Sequence, residues 1–100
     1  MGEGESEMML LEWMDFRGTE AELKEIDRIN KTIAEKVKGV EYLGRFASLN
    51  AKWNWTYFWK VPSMAKYEEM DKLHGVLSKT YKRDYNKMTH QAVEFFIGPF

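Results

Sequence analysis

The chain has 100 residues, of which 44% are hydrophobic and 15% aromatic, and it contains no cysteine. This composition fits a single packed domain and excludes a disulfide framework and thiolate chemistry. The formal net charge of -1 at pH 7 provides no field that would attract nucleic acid or an anionic membrane.

Residues 1–7 predict a flexible acidic tail, and residues 8–100 predict one domain. No run approaches the roughly 18 apolar residues of a spanning helix. The acidic N-terminus does not match a signal peptide, and the lack of cysteine fits a reducing compartment. We therefore expect a cytoplasmic protein.

The first half of the domain predicts strand, helix and strand. Residues 8–16 alternate and carry aromatic side chains, which favours a strand. Thr19 and Glu22 form a capping box, and apolar residues at helical spacing predict a helix over about 20 to 38 that ends at Gly39. Residues 40–49 predict the second strand.

The second half repeats this order. Residues 53–61 are dense in aromatics and predict a third strand, joined to the second by a short connection at 50–52. Ser63 is a candidate N-cap for a long helix over 64–88, with Gly75 in its interior. Residues 89–97 predict the last strand. The order β-α-β-β-α-β predicts an α+β, ferredoxin-like fold with an antiparallel sheet in the order 4-1-3-2 and both helices on one face.

Three strands carry a charge at their centres: Glu12, Arg45 and Glu94. Because side chains in a strand alternate between the two faces, each charge shares a face with the residues two and four positions away from it. We expect the wholly apolar set of each strand on the helix side: Met9, Leu11, Trp13, Tyr42, Phe46, Val93, Phe95 and Ile97. That assignment places the three charges on the uncovered, open face among apolar companions: Leu10, Met14, Phe16, Leu43, Ala47, Leu49 and Phe96.

The third strand has an aromatic set and a mixed set. Its odd positions are Trp53, Trp55, Tyr57 and Trp59, and its even positions are Asn54, Thr56, Phe58 and Lys60. Lys60 and Asn54 would be costly beneath helices, so the aromatic set is expected in the core. A bulge would reverse the faces and turn the aromatics into the lining of a ligand site. The sequence leaves both registers open.

An open face with this many apolar side chains predicts a partner that covers it. A second copy of the chain, packed about a two-fold axis, would provide that cover. In element order, size and open-face polarity, residues 8–100 resemble the dimeric α/β-barrel superfamily. The resemblance implies a homodimer that encloses a barrel with pockets, and a small organic ligand, aromatic or anionic. Members include cofactor-free monooxygenases and isomerases, haem-degrading enzymes and proteins of unknown activity, and fold alone does not choose among them.

Candidate roles follow from these placements. Glu12 or Glu94 is a candidate acid or base, and Arg45 is a candidate holder of an anionic group, with Asn54, Thr56, Phe58 and His74 as further ligand contacts. The structural alternative is an ion network that only fixes the docking of two sheets. No metal site is predicted, because two histidines 16 residues apart lack companion ligands. No cofactor is predicted either.

His74 offers a further alternative. It resembles the second-helix histidine of haem-degrading members, with Trp55 or Trp59 in the place of their third-strand tryptophan. Those enzymes also carry an asparagine on the first strand, and residues 8–16 contain none. The sequence thus leaves four functions open: ligand binding, cofactor-free catalysis, a purely structural or regulatory dimer, and haem binding through His74.

Overall fold

The protein folds as one antiparallel sheet with two helices. The computed structural model describes residues 7–49, 52–78 and 88–100. The elements in these ranges are β1 (Glu7–Phe16), α1 (Glu20–Lys36), β2 (Glu41–Ala47), β3 (Trp55–Val61), α2 (Met64–Leu77) and β4 (Met88–Gly98). The predicted acidic tail up to residue 6, positions 50–51 of the β2–β3 connection, and residues 79–87 of the predicted second helix lie outside the described residues.

The sheet order confirms the predicted topology. The strands lie in the order β2-β3-β1-β4, which is the order 4-1-3-2 read from the other edge. All three pairings are antiparallel. The fold is therefore the predicted ferredoxin-like α+β arrangement. No helix in the described ranges combines the length and apolar character that crossing a membrane requires.

Both helices begin at the predicted caps. The Thr19 hydroxyl accepts a hydrogen bond from the Glu22 backbone N–H at 3.2 Å, and Glu22 Oε1 accepts from the Thr19 N–H at 2.9 Å. Ser63 caps α2 in the same way through the Lys66 N–H, at 3.2 Å. The prediction that Met88 belongs to α2 was wrong: Met88 opens β4, where it pairs with Phe16.

The core lies between the helices and one face of the sheet. The predicted aromatic set of β3 is part of it, since Trp59 is 1% exposed and Tyr57 4% exposed. The buried apolar residues form one cluster: Leu10, Met14, Phe16, Leu23, Ile26, Ile29, Ile33, Val37, Val40, Tyr57, Trp59, Val61 and Met70. The predicted register of β3 is thus confirmed.

The predicted facing of β1 was wrong. Leu10 pairs with Trp59 on one side and Phe95 on the other, and it is 0% exposed in the core. The even positions of β1, including Glu12, therefore face the helices, and Met9, Leu11 and Trp13 face the open side. Over residues 8–14 both sets of this strand are apolar apart from Glu12, so alternation alone could not identify the buried set.

The predicted facing of β2 was wrong at Arg45 and Phe46. The register between β2 and β3 shifts between Tyr42 and Gly44, and Gly44 has a φ of 125°. This bulge turns Arg45 to the helix side beside Tyr57, and Phe46 to the open side, because an extra residue reverses the alternation.

The predicted facing of β4 is confirmed. Phe95 pairs with Leu10, and its ring contacts Tyr67 of α2 with centroids 4.9 Å apart. Glu94 pairs with Leu11 and lies on the open side. Of the three central charges, Glu94 is the one that faces away from the helices.

Glycine at two positions allows a matched stability test. A Cβ at Gly75, within α2, would have no atom within 4 Å, whereas a Cβ at Gly39 would meet Pro62 Cγ at 2.9 Å from a backbone with a φ of +86°. We expect Gly75→Ala to raise the free energy of unfolding by about 0.5–1 kcal/mol, because alanine restricts the unfolded chain and favours helix. Gly39→Ala should lower it. Urea denaturation measures both, and a Gly75→Ala protein less stable than the parent would contradict the described helix.

Candidate active site

The candidate site is a cleft between the sheet and the two helices. Two adjoining cavities, of about 40 Å³ and about 120 Å³, share four lining residues: Glu12, Asn30, His74 and Gln91. The larger one extends along Trp59, Tyr67, Met70 and Asp71. β1, β3 and β4 form its floor, and α1 and α2 form its walls. Polar groups from separate elements thus converge on one space beneath the helices.

Glu12 is the charged group on the floor of this cleft. The register of β1 places it between Tyr57 of β3 and Val93 of β4. Its Oε1 accepts a hydrogen bond from the Trp59 indole N–H at 2.7 Å. The sequence prediction placed Glu12 on the open face. The structure places it under the helices, where a carboxylate needs donors because it has lost water.

α2 contributes His74, Tyr67 and Asp71. His74 is half-buried and lines both cavities, so the predicted ligand contact does lie beside Glu12. Burial raises the pKa of Tyr67, and the negative charges of Asp71 and Glu12 raise it further. The Tyr67 hydroxyl therefore keeps its proton at neutral pH and can donate a hydrogen bond into the cleft.

Sequence reasoning missed Asn30, Asp71 and Gln91. Asn30 is 3% exposed and lines both cavities from the inner side of α1. The sequence does contain a cue for Asn30. This residue interrupts the apolar stripe of α1, four residues after Ile26 and three residues before Ile33. A buried polar residue in such a stripe indicates a polar partner nearby.

Arg45 lies apart from the cleft. Its Nε donates to Asp27 Oδ2 at 3.0 Å, and its Nη2 donates to Glu20 Oε1 at 3.2 Å, both on α1. The guanidinium also sits over the Trp55 ring, 4.4 Å from the centroid. Tyr42 joins this network by donating to Asp27 Oδ1 at 2.7 Å. Arg45 does not line either cavity beside Glu12; it fastens the edge strand β2 to α1.

The other predicted contacts, Asn54, Thr56 and Phe58, also lie apart from Glu12. The Asn54 side chain accepts from the Phe16 N–H at 2.9 Å and donates to the Phe16 carbonyl at 2.7 Å, so it holds the end of β1. The Thr56 hydroxyl donates to Ser48 Oγ at 3.3 Å. The Phe58 ring packs on the open-face ring of Phe46, with centroids 4.7 Å apart.

Glu94 and Glu12 cannot act as a pair in this cleft. Glu94 borders a separate, shallow cleft on the open face, which Trp13 and Trp53 line. The indole rings of these two residues are 6.4 Å apart. The sheet lies between the two carboxylates, so they do not share one site within a protomer. Among the described residues, no three His, Cys, Asp or Glu side chains converge as a metal-ligand set.

Comparisons with known proteins identify the fold and no individual family. No protein-family model and no curated protein matches the chain. The chain is similar in structure to a DABB family protein with a ferredoxin-like fold from Mesorhizobium loti. That similarity has a TM-score of 0.64 and 12% sequence identity, and it covers 95% of this chain and 99% of the other. The predicted ferredoxin-like fold is thus confirmed.

The Arg45 network makes a prediction about stability. Replacement of Arg45, whose side chain is 13% exposed, by methionine should lower the free energy of unfolding by about 2 kcal/mol, because charged hydrogen bonds to Asp27 are lost. The control is Arg28→Met, which breaks an exposed ion pair with Glu25 on the surface of α1 and should lower the free energy of unfolding much less, because solvent screens that pair. Urea denaturation compares the two. Equal losses would show that Arg45 does not anchor β2.

Proposed function

We propose that this protein is a cytoplasmic homodimer that binds a small organic ligand in the cleft of each protomer, under its own helices. The observation that carries the proposal is the Glu12 carboxylate, hydrogen-bonded to the Trp59 indole at 2.7 Å on the floor of two adjoining cavities. A purely structural core would gain stability from an apolar residue at this position, because a carboxylate under helices has a desolvation cost. A convergent set of polar groups in an apolar cavity is the usual form of a ligand site.

The size of the cleft limits the ligand. Volumes of about 40 Å³ and about 120 Å³ fall below the roughly 300–1,000 Å³ of sites for drug-sized ligands. An engineered cavity of about 150 Å³ holds one benzene molecule. The cleft therefore suits a ligand with one ring. Haem, the alternative suggested by His74, does not fit the two cavities that His74 lines, and we do not propose it.

Catalysis is the alternative function of the same site. A ligand in the cavity would lie within hydrogen-bond reach of the Glu12 carboxylate, which is the first requirement of a general base. A cofactor-free proton transfer or oxygenation would therefore use Glu12 as its base, with the Tyr67 hydroxyl and His74 as further polar contacts. Glu94 has no part in this proposal, since it lies on the opposite face.

The tryptophan side chains provide a test that separates the two faces. We expect small aromatic fragments to shift the indole N–H resonance of Trp59 in an NMR titration, because that proton is bonded to Glu12 in the cleft. The resonance of Trp53, which lines the open-face cleft and neither cavity under the helices, should move much less. The variant Trp59→Phe assigns the signal. Shifts confined to Trp13 and Trp53 would move the site to the open face, and silence across the fragments would favour a purely structural dimer.

The homodimer is supported by the open face. Exposed rings of Phe46 and Phe96 lie on it, together with half-buried Met9, Leu11 and Phe58. A surface with this many apolar side chains favours association, and the sheet-to-sheet packing of two copies would remove it from water.

Sedimentation velocity tests the dimer. We expect a dimer at micromolar concentration, and we expect Phe96→Lys, which replaces a side chain 46% exposed on the open face, to produce a monomer. The control is Val76→Lys on α2, where the residue is 59% exposed and lies away from the open face. That variant should remain dimeric. A monomeric parent protein, or dissociation by Val76→Lys alone, would contradict the proposed interface.

A further inference from the structure

We propose that the cleft selects an organic cation: a single ring that carries an ammonium or amidinium group, bound by the Glu12 carboxylate. This inference rests on the proposed function, since it assigns the ligand chemistry of the same cavity. The sequence left an aromatic or an anionic ligand open, with Arg45 as the candidate holder of an anionic group, and the position of Arg45 away from the cleft removes the reason for an anion there.

The charges around the cleft are the first argument. Glu12 enters from the sheet, and Asp71 enters from α2 on the opposite wall. In the described part of the lining, His74 is the one residue that can carry a positive charge, and neither a lysine nor an arginine contributes. A carboxylate ligand would meet two like charges, whereas an ammonium would meet two opposite ones.

The pKa of Tyr67 also indicates a negative electrostatic potential within the cleft. Burial is the main cause of its raised pKa, and Asp71 and Glu12 both add to it through their charges. The negative potential of the two carboxylates therefore extends across the space between the sheet and α2. A cation in that space would be stabilised by the same potential.

The positive charge of Arg45 does not offset this negative potential, because Arg45 does not line the cleft. Its guanidinium is bonded to Asp27 and Glu20, and it stacks on Trp55 at 4.4 Å. Two carboxylates from α1 therefore hold it outside the cleft. The sheet order is the structural cause, because β2 is an edge strand separated from β1 by β3, so Arg45 reaches Asp27 and Glu20 and not the lining around Glu12.

The walls of the cleft suit a cation attached to a ring. Tyr57 lines the smaller cavity, and Trp59 and Tyr67 line the larger one. Aromatic faces attract ammonium and amidinium groups by about 0.5–2 kcal/mol, depending on desolvation. The combined space accepts about one ring. Glu12 can accept more than one hydrogen bond, so its bond to Trp59 is compatible with a bond from the ligand.

The test is a charge series on one ring: benzylammonium, benzyl alcohol and benzoate. Isothermal titration calorimetry at neutral pH and low salt measures the three affinities for the full chain. We expect benzylammonium to bind at least ten-fold more tightly than benzyl alcohol, and benzoate to bind more weakly than either. All three have a similar size, so the differences report charge and hydrogen bonding rather than shape.

Three variants identify the group responsible. Glu12→Gln keeps the shape of the side chain and should weaken benzylammonium at least ten-fold, with a much smaller effect on benzyl alcohol. The matched control is Glu94→Gln, the same change on the open face, which should leave all three affinities unchanged. Asp71→Asn should weaken benzylammonium by about two- to three-fold, because Asp71 is exposed to solvent. The Asp71→Asn variant still tests the preference for a cation if the Glu12→Gln variant does not fold.

The possible results separate the two proposals. Benzoate binding as tightly as benzylammonium, or benzylammonium binding that Glu12→Gln leaves unchanged, would overturn the cation inference while the ligand site stands. Failure of the whole series to bind, together with silence of the Trp59 resonance across other fragments, would overturn both. Weakening by Glu94→Gln would move the cation to the open face and would also overturn the inference.

Discussion

A carboxylate beneath two helices needs a hydrogen-bond donor, and the indole of Trp59 is the donor that Glu12 has at 2.7 Å. This bond joins β1 to β3, and it can form only if the even positions of β1 and the odd positions of β3 share the helix side. The facing of Leu10 and Tyr57 in the core follows the same register. The position of the cleft, its charge and its aromatic walls all depend on this one constraint.

The two faces of the sheet have different chemistry as a result. The helix side combines a dense aromatic core with a polar cleft, and Arg45 closes the edge at β2 by pairing with Asp27 and Glu20. The open side presents the exposed Phe46 and Phe96 rings together with Glu94 and Lys60, a surface that suits contact with a second copy. A ligand under the helices and a partner on the open face would therefore not compete for the same surface.

The sequence was sufficient for the topology and the caps, because the element order and the cap residues follow from local patterns. For β3 it left both registers open, and the cost of burying Asn54 and Lys60 favoured the one observed. It was insufficient over residues 8–14 of β1, which are apolar on both faces, since Glu12 alone does not reveal which face is buried. The bulge that turns Arg45 had a visible cue in Gly44, because glycine inside a strand often marks such a site. Asn30 had a comparable cue in the stripe of α1.

The position of the Glu12 carboxylate under the helices is tested most directly by the nuclear Overhauser effects from the Glu12 side chain in isotopically labelled protein. The account predicts strong effects between the Glu12 Hγ protons and the Trp59 indole Hε1. Effects from Glu12 Hγ to the rings of Phe58 and Phe96, with none to Trp59, would place this carboxylate on the open face and contradict it.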